Sequence, residues 1–234
     1  MDTSLAADEG CASWLPALLH LASPVLPIGA FSYSQGMETA CELGQVRDAA
    51  SAAAWIESLW TWSVLPRELP TVQAAWDALQ AGDLAALRAV HERFVASGDC
   101  AEARAETMQV GAALQRWLRA LRSGGDLPSG VNPAVAAALD AGRWCAPIAF
   151  ALCACAQGLP CRAASLGWGW SWLENQVQAA VKLVPLGQSD GQRVLVALRP
   201  RLFDPIPDEP WSFMPLAALC GMRHERQYTR LFRS

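Results

Sequence analysis

Histidines, the side chains most often used for metal binding and proton transfer, are few in this chain. Its three histidines are His20, His91 and His224. A glutamate follows His91 and His224, as at the start of the zinc-protease motif H-E-x-x-H. The fourth position after them holds Val95 and Tyr228, so neither pair can bind zinc in that way. We therefore predict no metal site from these pairs.

Two carboxylates have a spacing that is used in metal centres. Glu102 and Glu106 lie four residues apart and so share one face of a helix. A di-metal helical bundle also needs Glu-x-x-His partners, which the sequence lacks. We expect both carboxylates to face solvent or a partner. Cys220 and His224 would share a face if helical, but we favour a core thiol and a partner-contacting histidine over a metal site.

Catalytic motifs are missing from the sequence. The eight cysteines contain no C-x-x-C pair, and a cytosolic chain of this length needs no disulfides, so we predict buried, reduced thiols. The phosphate-binding motif G-x-x-x-x-G-K-[ST] and the nucleophile motif G-x-S-x-G do not occur. No nucleophile and base can be paired from their spacing. We predict no catalytic residues, no cofactor and no enzymatic activity.

A helix predicted over about 162–184 carries a polar strip. Ser171, Asn175, Gln178 and Lys182 follow a three-to-four-residue spacing along one side of it. Lys182 is the only lysine of the chain, beside 17 arginines. Amide and hydroxyl groups with one cation suit a hydrogen-bonding interface with a partner. Simple exposure to solvent is the alternative.

The C-terminal segment 222–234 combines positive charge with apolar side chains. It has four arginines and one glutamate. In a helix, the arginines would form one face and Tyr228, Leu231 and Phe232 would cluster on another. Such a cluster is unfavourable in water unless something covers it. We predict a segment that is mobile alone and folds on a partner, with docking onto its own domain as the alternative.

Composition and pattern predict a helical scaffold for these segments. The chain has 43 alanines against 24 Val, Ile and Thr, and alanine has the highest helix propensity. Apolar spacing predicts successive helices with short connections, interrupted by an irregular segment at 23–34. We predict an all-α, single-domain bundle of about ten helices. It comprises a disordered N-terminus at 1–11, a helical domain at 12–221 and a partner-docking tail at 222–234.

Charge and hydropathy exclude two classes of partner. The net charge of −4 argues against binding to the phosphate backbone of nucleic acids. The longest apolar run, 144–156, is shorter than the roughly 20 residues that span a bilayer. The first residues lack the basic start of a secretory signal. We predict a soluble, cytoplasmic protein that binds neither nucleic acid nor membrane.

Four blocks of the sequence resemble the urease accessory protein UreF family. They read LASPVLPIGAFSYSQGME at 21–38, RAETMQVG at 104–111, SWLENQ followed by VKLVPLGQSDGQ within 171–192, and RHERQYTRLFRS at 223–234. The last block is the most specific. With matching spacing, the resemblance covers the chain from about residue 14 to its end, although 51–100 matches only in helical character.

The resemblance implies a non-catalytic, all-α chaperone for metallocentre assembly. Members of the family dimerise, bind the accessory protein UreD (also called UreH) and recruit or regulate the GTPase UreG. That assembly inserts nickel into apo-urease. An all-helical enzyme for a small molecule or a metal, with its site in a pocket lined by some of the 11 tryptophans, is the alternative function.

The resemblance also implies roles for individual residues. Tyr33, Gln35, Glu38 and Lys182 are similar to positions that face the GTPase or another partner. The positions that resemble the segment ordered by UreD are Arg223, His224, Glu225, Gln227, Tyr228, Arg230, Leu231 and Phe232.

The single lysine provides a first testable prediction. Lys182→Arg keeps the positive charge but replaces a compact, strongly hydrated ammonium with a planar guanidinium, which does not fit the same contact. We expect urease activation in cells to fall while the melting temperature changes by no more than about 1 °C, as for an exposed substitution. Activation equal to that of the wild type would show that the lysine has no special role.

Overall fold

The computed structural model describes residues 4–128 and 130–234, with side chains from residue 13 onward. Helices and their connections make up these ranges. Within these ranges there is no β-strand, and the predicted all-α, single-domain bundle is confirmed. No helix in the described ranges is long and apolar enough to cross a membrane. The α-helices are α1 (Ser4–Leu21), α2 (Met37–Glu42), α3 (Ala49–Leu59), α4 (Leu69–Ala81), α5 (Leu84–Ala96), α6 (Ala101–Gly124), α7 (Pro133–Ala141), α8 (Ala146–Ala156), α9 (Cys161–Leu183), α10 (Gln188–Leu198) and α11 (Pro215–His224).

Helix α1 is longer than the sequence pattern predicts. It begins at Ser4, within the segment 1–11 for which we expect disorder. Residues 1–3 of that segment lie outside the described residues, and the division of the chain into N-terminus, domain and tail stays a prediction. The irregular segment after α1 is present as predicted. Gly29 within it and Gly36, just before α2, have φ values of 73° and 83°.

Helices α3 and α4 form one continuous rod through a π-helical segment, Trp60–Glu68. Pro66 lies inside this segment and has no N–H to donate, so the regular ladder of hydrogen bonds is interrupted there. An extended strap, residues 204–214, runs beside it. The backbone N–H groups of Trp211 and Phe213 donate to the carbonyl oxygens of Pro66 and Trp62. From the sequence alone, Pro66 and Pro70 predict that one helix ends near Val64 and another begins after it. That prediction is wrong, because the N–H groups of the strap donate to carbonyl oxygens of the π-helical segment and the rod continues.

Two apolar clusters form the core. The first surrounds α8, all of whose residues are buried, and includes side chains of α4, α5 and α6. The second lies between α3, α9 and α10 and includes Phe232 from the C-terminal segment. Helix α9 contributes to both clusters, with Ala164 in the first and Leu173 in the second. Cys153 and Cys155 are buried in α8, as expected for core thiols, whereas Cys41 and Cys161 are only half-buried, so the prediction of buried thiols is wrong for these two.

Helix α6 lies very close to the start of α8 at Gly111. A Cβ atom at this position would lie 2.1 Å from the carbonyl oxygen of Trp144, just before α8 begins. Gln115, one turn later on α6, donates to the carbonyl of Gly142 and accepts from the N–H of Trp144. Glycine is therefore required where α6 supports the N-terminus of the buried helix.

We expect Gly111→Ala to lower the free energy of unfolding by about 3 kcal/mol, because backbone on both sides must move to admit the methyl group. Chemical denaturation measures this change. Gly124→Ala in the same helix is the matched control, since its Cβ meets only the mobile carboxylate of Asp126 and alanine favours the helix. Equal stabilities for the two variants would contradict the close approach.

Candidate partner-binding site

Residues 222–224 of the predicted tail belong to α11, and the remaining residues, 225–234, form the C-terminal tail, which lies on the helical domain in a non-helical conformation. Helix α11 ends at His224, so the arginine face expected for a helical tail does not form. Phe232 is only 5% exposed and packs in the second core cluster. The structure thus shows the alternative that we considered for this segment, docking onto its own domain.

His224 joins the tail to α2 and α6. Its side chain is fully buried, with Nδ1 2.7 Å from Oε2 of Glu102 and Nε2 3.2 Å from Oε2 of Glu38. The guanidinium of Arg230 donates to the other oxygen of Glu102 at 2.7 Å. The prediction that Glu102 faces solvent or a partner is therefore wrong. Both nitrogens of His224 are engaged, and the described part of the chain has no group of three or more metal-ligating side chains.

Glu38 fixes the backbone of the tail. Its two carboxylate oxygens accept from the N–H groups of Leu231, at 2.7 Å, and Phe232, at 2.8 Å. Four residues earlier, the N–H and hydroxyl of Ser34 both donate to the backbone oxygen of Ser234 at 2.7 Å. These bonds hold the last residues along the start of α2.

Tyr33 and Gln35 are also turned inward. Tyr33 is 5% exposed, and its hydroxyl donates to Gln109 of α6 at 2.8 Å. Gln35 has a φ of +52°, a conformation that side-chain-bearing residues rarely adopt. Its amide donates to Glu106 at 2.8 Å and accepts from the indole of Trp172 at 2.7 Å. We infer that these bonds compensate for the unfavourable backbone conformation.

Glu106 lines a partly open cavity of about 170 Å³, together with Glu68, Trp168 and Trp172. Burial raises the pKa of Glu106 to about 7, although hydrogen bonds from Gln35 and from the Ser234 hydroxyl oppose the shift. Burial also raises the pKa of Glu68, which accepts from the indole N–H of Trp168 at 2.8 Å. Glu106 is half-buried, and its carboxylate accepts from Gln35 and Ser234, so the expectation that it simply faces solvent is wrong.

The polar strip of α9 divides into two parts. Ser171 donates to the carbonyl of Ala22, and Asn175 donates to the carbonyl of Tyr33, so both hold the irregular segment on α9. Further along, Gln178 is half-buried and Lys182 is exposed. The ammonium of Lys182 lies 5.7 Å from the ring centroids of both Phe31 and Phe232, where cation–π attraction operates.

The rest of the tail divides between contacts to the domain and contacts to solvent. Glu225 accepts from the N–H of Ala101 at 2.7 Å and thus caps the N-terminus of α6. The amide of Gln227 donates to Glu42 at 2.7 Å. Tyr228 is fully exposed and Leu231 is 65% exposed. Arg223, Arg226 and Arg233 are exposed as well.

Sequence reasoning missed the acidic residues that receive the tail. Glu106 and Gln109 lie in the block at 104–111, and Glu102 precedes that block by two residues. The signal was present as charge complementarity, because these two carboxylates lie one turn apart and the segment 222–234 has four arginines. Without a known tail conformation, however, spacing alone could not assign particular partners.

The fold and this site define a class of all-α proteins in which a C-terminal tail is held on the helical body by buried carboxylates. Residues 46–199 match the protein-family model of UreF. The chain belongs to the urease accessory protein UreF family.

Named relatives cover most of the chain. The urease accessory protein UreF of Azoarcus sp. (strain BH72) is 45% identical over 93% of this chain and 94% of its own length. That of Dechloromonas aromatica (strain RCB) is 42% identical over 94% and 97%. The bifunctional urease accessory protein UreEF of Bordetella bronchiseptica is 44% identical over 95% of this chain, but over only 52% of its own length.

Glu106 predicts a pH dependence of stability. Because its folded pKa of about 7 exceeds its ordinary value of 4.5, the folded state retains the proton more strongly. Its contribution to stability is complete below pH 4.5 and is lost as the pH rises through 7. Glu106→Gln stays neutral, so the variant should gain about 2 kcal/mol relative to the wild type between pH 5 and pH 8.

Urea denaturation at several pH values measures this difference. Glu209→Gln, at an exposed position, is the control and should show no such trend. If Glu106→Gln follows the wild type at every pH, the carboxyl of Glu106 is not buried in solution.

Proposed function

We propose that this protein is a non-catalytic scaffold in urease maturation. It binds UreD (UreH), recruits or regulates the GTPase UreG, and thereby supports nickel insertion into apo-urease in the cytoplasm. It acts as a homodimer. Membership of the UreF family supports this role, and so does the name of the Bordetella relative, a bifunctional urease accessory protein.

One observation carries the proposal, namely that the tail presents apolar side chains on an anchored backbone. Tyr228 and Leu231 project into solvent, while Phe232, next in sequence, is fixed in the core. Exposed arginines at 223 and 226 precede them. Tyrosine and arginine are the residue types that most often anchor protein–protein interfaces. The ordered backbone reduces the entropy lost on binding.

The remaining residues of the proposed site serve this surface in different ways. Tyr33, Gln35 and Glu38 position the tail, because their side chains are bonded inside the protein. Lys182 lies at the edge of the tail beside Phe232 and is exposed to a partner. The two occupied nitrogens of His224 support a role in which this chain does not store nickel.

The cavity favours a second candidate function. Trp168 and Trp172 line it, and Glu68 and Glu106 supply carboxylates, as expected for a helical enzyme with a tryptophan-lined pocket. Isothermal titration of the isolated protein with nickel and with GTP separates the two functions. Tight, stoichiometric nickel binding by the isolated chain would favour the enzyme, whereas a scaffold requires none.

We expect Tyr228→Ala and Leu231→Ala each to weaken binding of UreD by at least about tenfold, because truncation removes an interface anchor. Neither side chain packs in the core, so the melting temperature should stay within about 2 °C of the wild type. Affinity is measured by calorimetry or surface plasmon resonance with purified UreD.

Phe203→Ala is the matched control. Phe203 is 68% exposed in the 3-10 helix after α10 and lies outside the tail. Its truncation should leave affinity for UreD unchanged. Equal affinities for all three variants and the wild type would show that the tail is not the docking surface.

A further inference from the structure

His224 lies in an environment that a neutral imidazole cannot satisfy. Each ring nitrogen faces a carboxylate oxygen, that of Glu102 at 2.7 Å and that of Glu38 at 3.2 Å. A neutral ring has one N–H and one lone pair, and the lone pair would then face a carboxylate. An imidazolium donates on both sides. The ring is fully buried, so water cannot replace a missing hydrogen bond.

Neighbouring donors favour the ionised form of both carboxylates. Both oxygens of Glu38 accept from tail N–H groups, those of Leu231 and Phe232. One oxygen of Glu102 accepts from the guanidinium of Arg230. Hydrogen bonds of this kind stabilise a carboxylate over a carboxylic acid. The additional proton of the cluster therefore resides on His224.

The other ionisable groups near this cluster do not alter the balance of charge between its two carboxylates and its two cations. On α11 itself, Cys220 is one turn before the ring, and Arg223 is exposed. On α2, Cys41 and Glu42 follow Glu38, and Glu42 is exposed.

On α6, one turn after Glu102, Glu106 bonds to Gln35 and Ser234. In the tail, Glu225 caps α6. Buried His224 and the partly exposed Arg230 together balance the charges of Glu38 and Glu102.

We propose that docking of the tail onto the helical domain is coupled to protonation of His224. The docked state holds one proton between Glu38 and Glu102, and loss of that proton leaves a lone pair facing a carboxylate. Rising pH therefore releases residues 225–234. Insofar as the tail is the partner-binding surface, which rests on the proposed function, this latch makes the surface depend on pH.

The protonation state can be observed directly, because the chain has only three histidines. In full-length protein labelled with ¹⁵N-histidine, His20→Gln and His91→Gln assign the ring signals by elimination. At pH 7 we expect both ring nitrogens of His224 to show the closely similar shifts of an imidazolium. The widely separated shifts of a neutral tautomer would overturn the proposal.

Coupling is measured by hydrogen exchange of the Leu231 and Phe232 amides, corrected for the intrinsic exchange rate at each pH. While the docked state holds the proton that the undocked state has lost, their protection should fall about tenfold per pH unit, as for linkage to one proton. Protection that stays constant from pH 6 to pH 9.5 would overturn the proposal.

Two matched variants test the mechanism. In Glu102→Gln the amide can donate to a neutral ring, so docking should persist at high pH. The slope of amide protection against pH should therefore vanish. Glu42→Gln removes a carboxylate that contacts Gln227 but not His224, so the slope should remain. A slope that is the same in both variants would overturn the role of His224. UreD binding is measured separately at pH 7, and its absence there contradicts the proposed function but leaves the latch intact.

Discussion

The arrangement of the tail depends on the hydrogen bonds that the carboxylate of Glu38 accepts. It is almost completely buried, and such a charge is tolerated only when donors surround it. The domain alone provides few of them. The tail supplies two backbone N–H groups, and the end of α11 supplies the ring of His224. Burial of Glu38 and docking of the tail are therefore one event, since neither is favourable without the other.

The helical architecture was predictable from the sequence because it follows from local signals. Alanine content, apolar spacing and caps such as Asp48 and Asp83 define helices without reference to distant residues. The π-helical segment was not predictable in this way. Pro66 indicates a helix end, and only the distant strap at 204–214 provides the donors that allow the rod to continue.

The site shows the same distinction. The segments that carry the resemblance, 21–38, 104–111, 171–192 and the tail, all meet in space. Their internal roles could not be read from residue type. Glu38 and Gln35 look like surface polar residues in the sequence, yet Gln35 bonds to Glu106 and Glu38 bonds to the backbone of Phe232. A buried polar network depends on contacts between residues far apart in the chain, for which one sequence carries no signal.

The length of chain between Glu38 and His224 has a consequence for folding. Glu38 and His224 are separated by 186 residues, whereas contacts within and between successive helices close short loops. Contacts at large sequence separation form late, because their loop-closure entropy is offset only after the rest of the chain is compact. The helical domain should therefore assemble first with Glu38 still hydrated, and desolvation of that carboxylate by the tail then completes the native state.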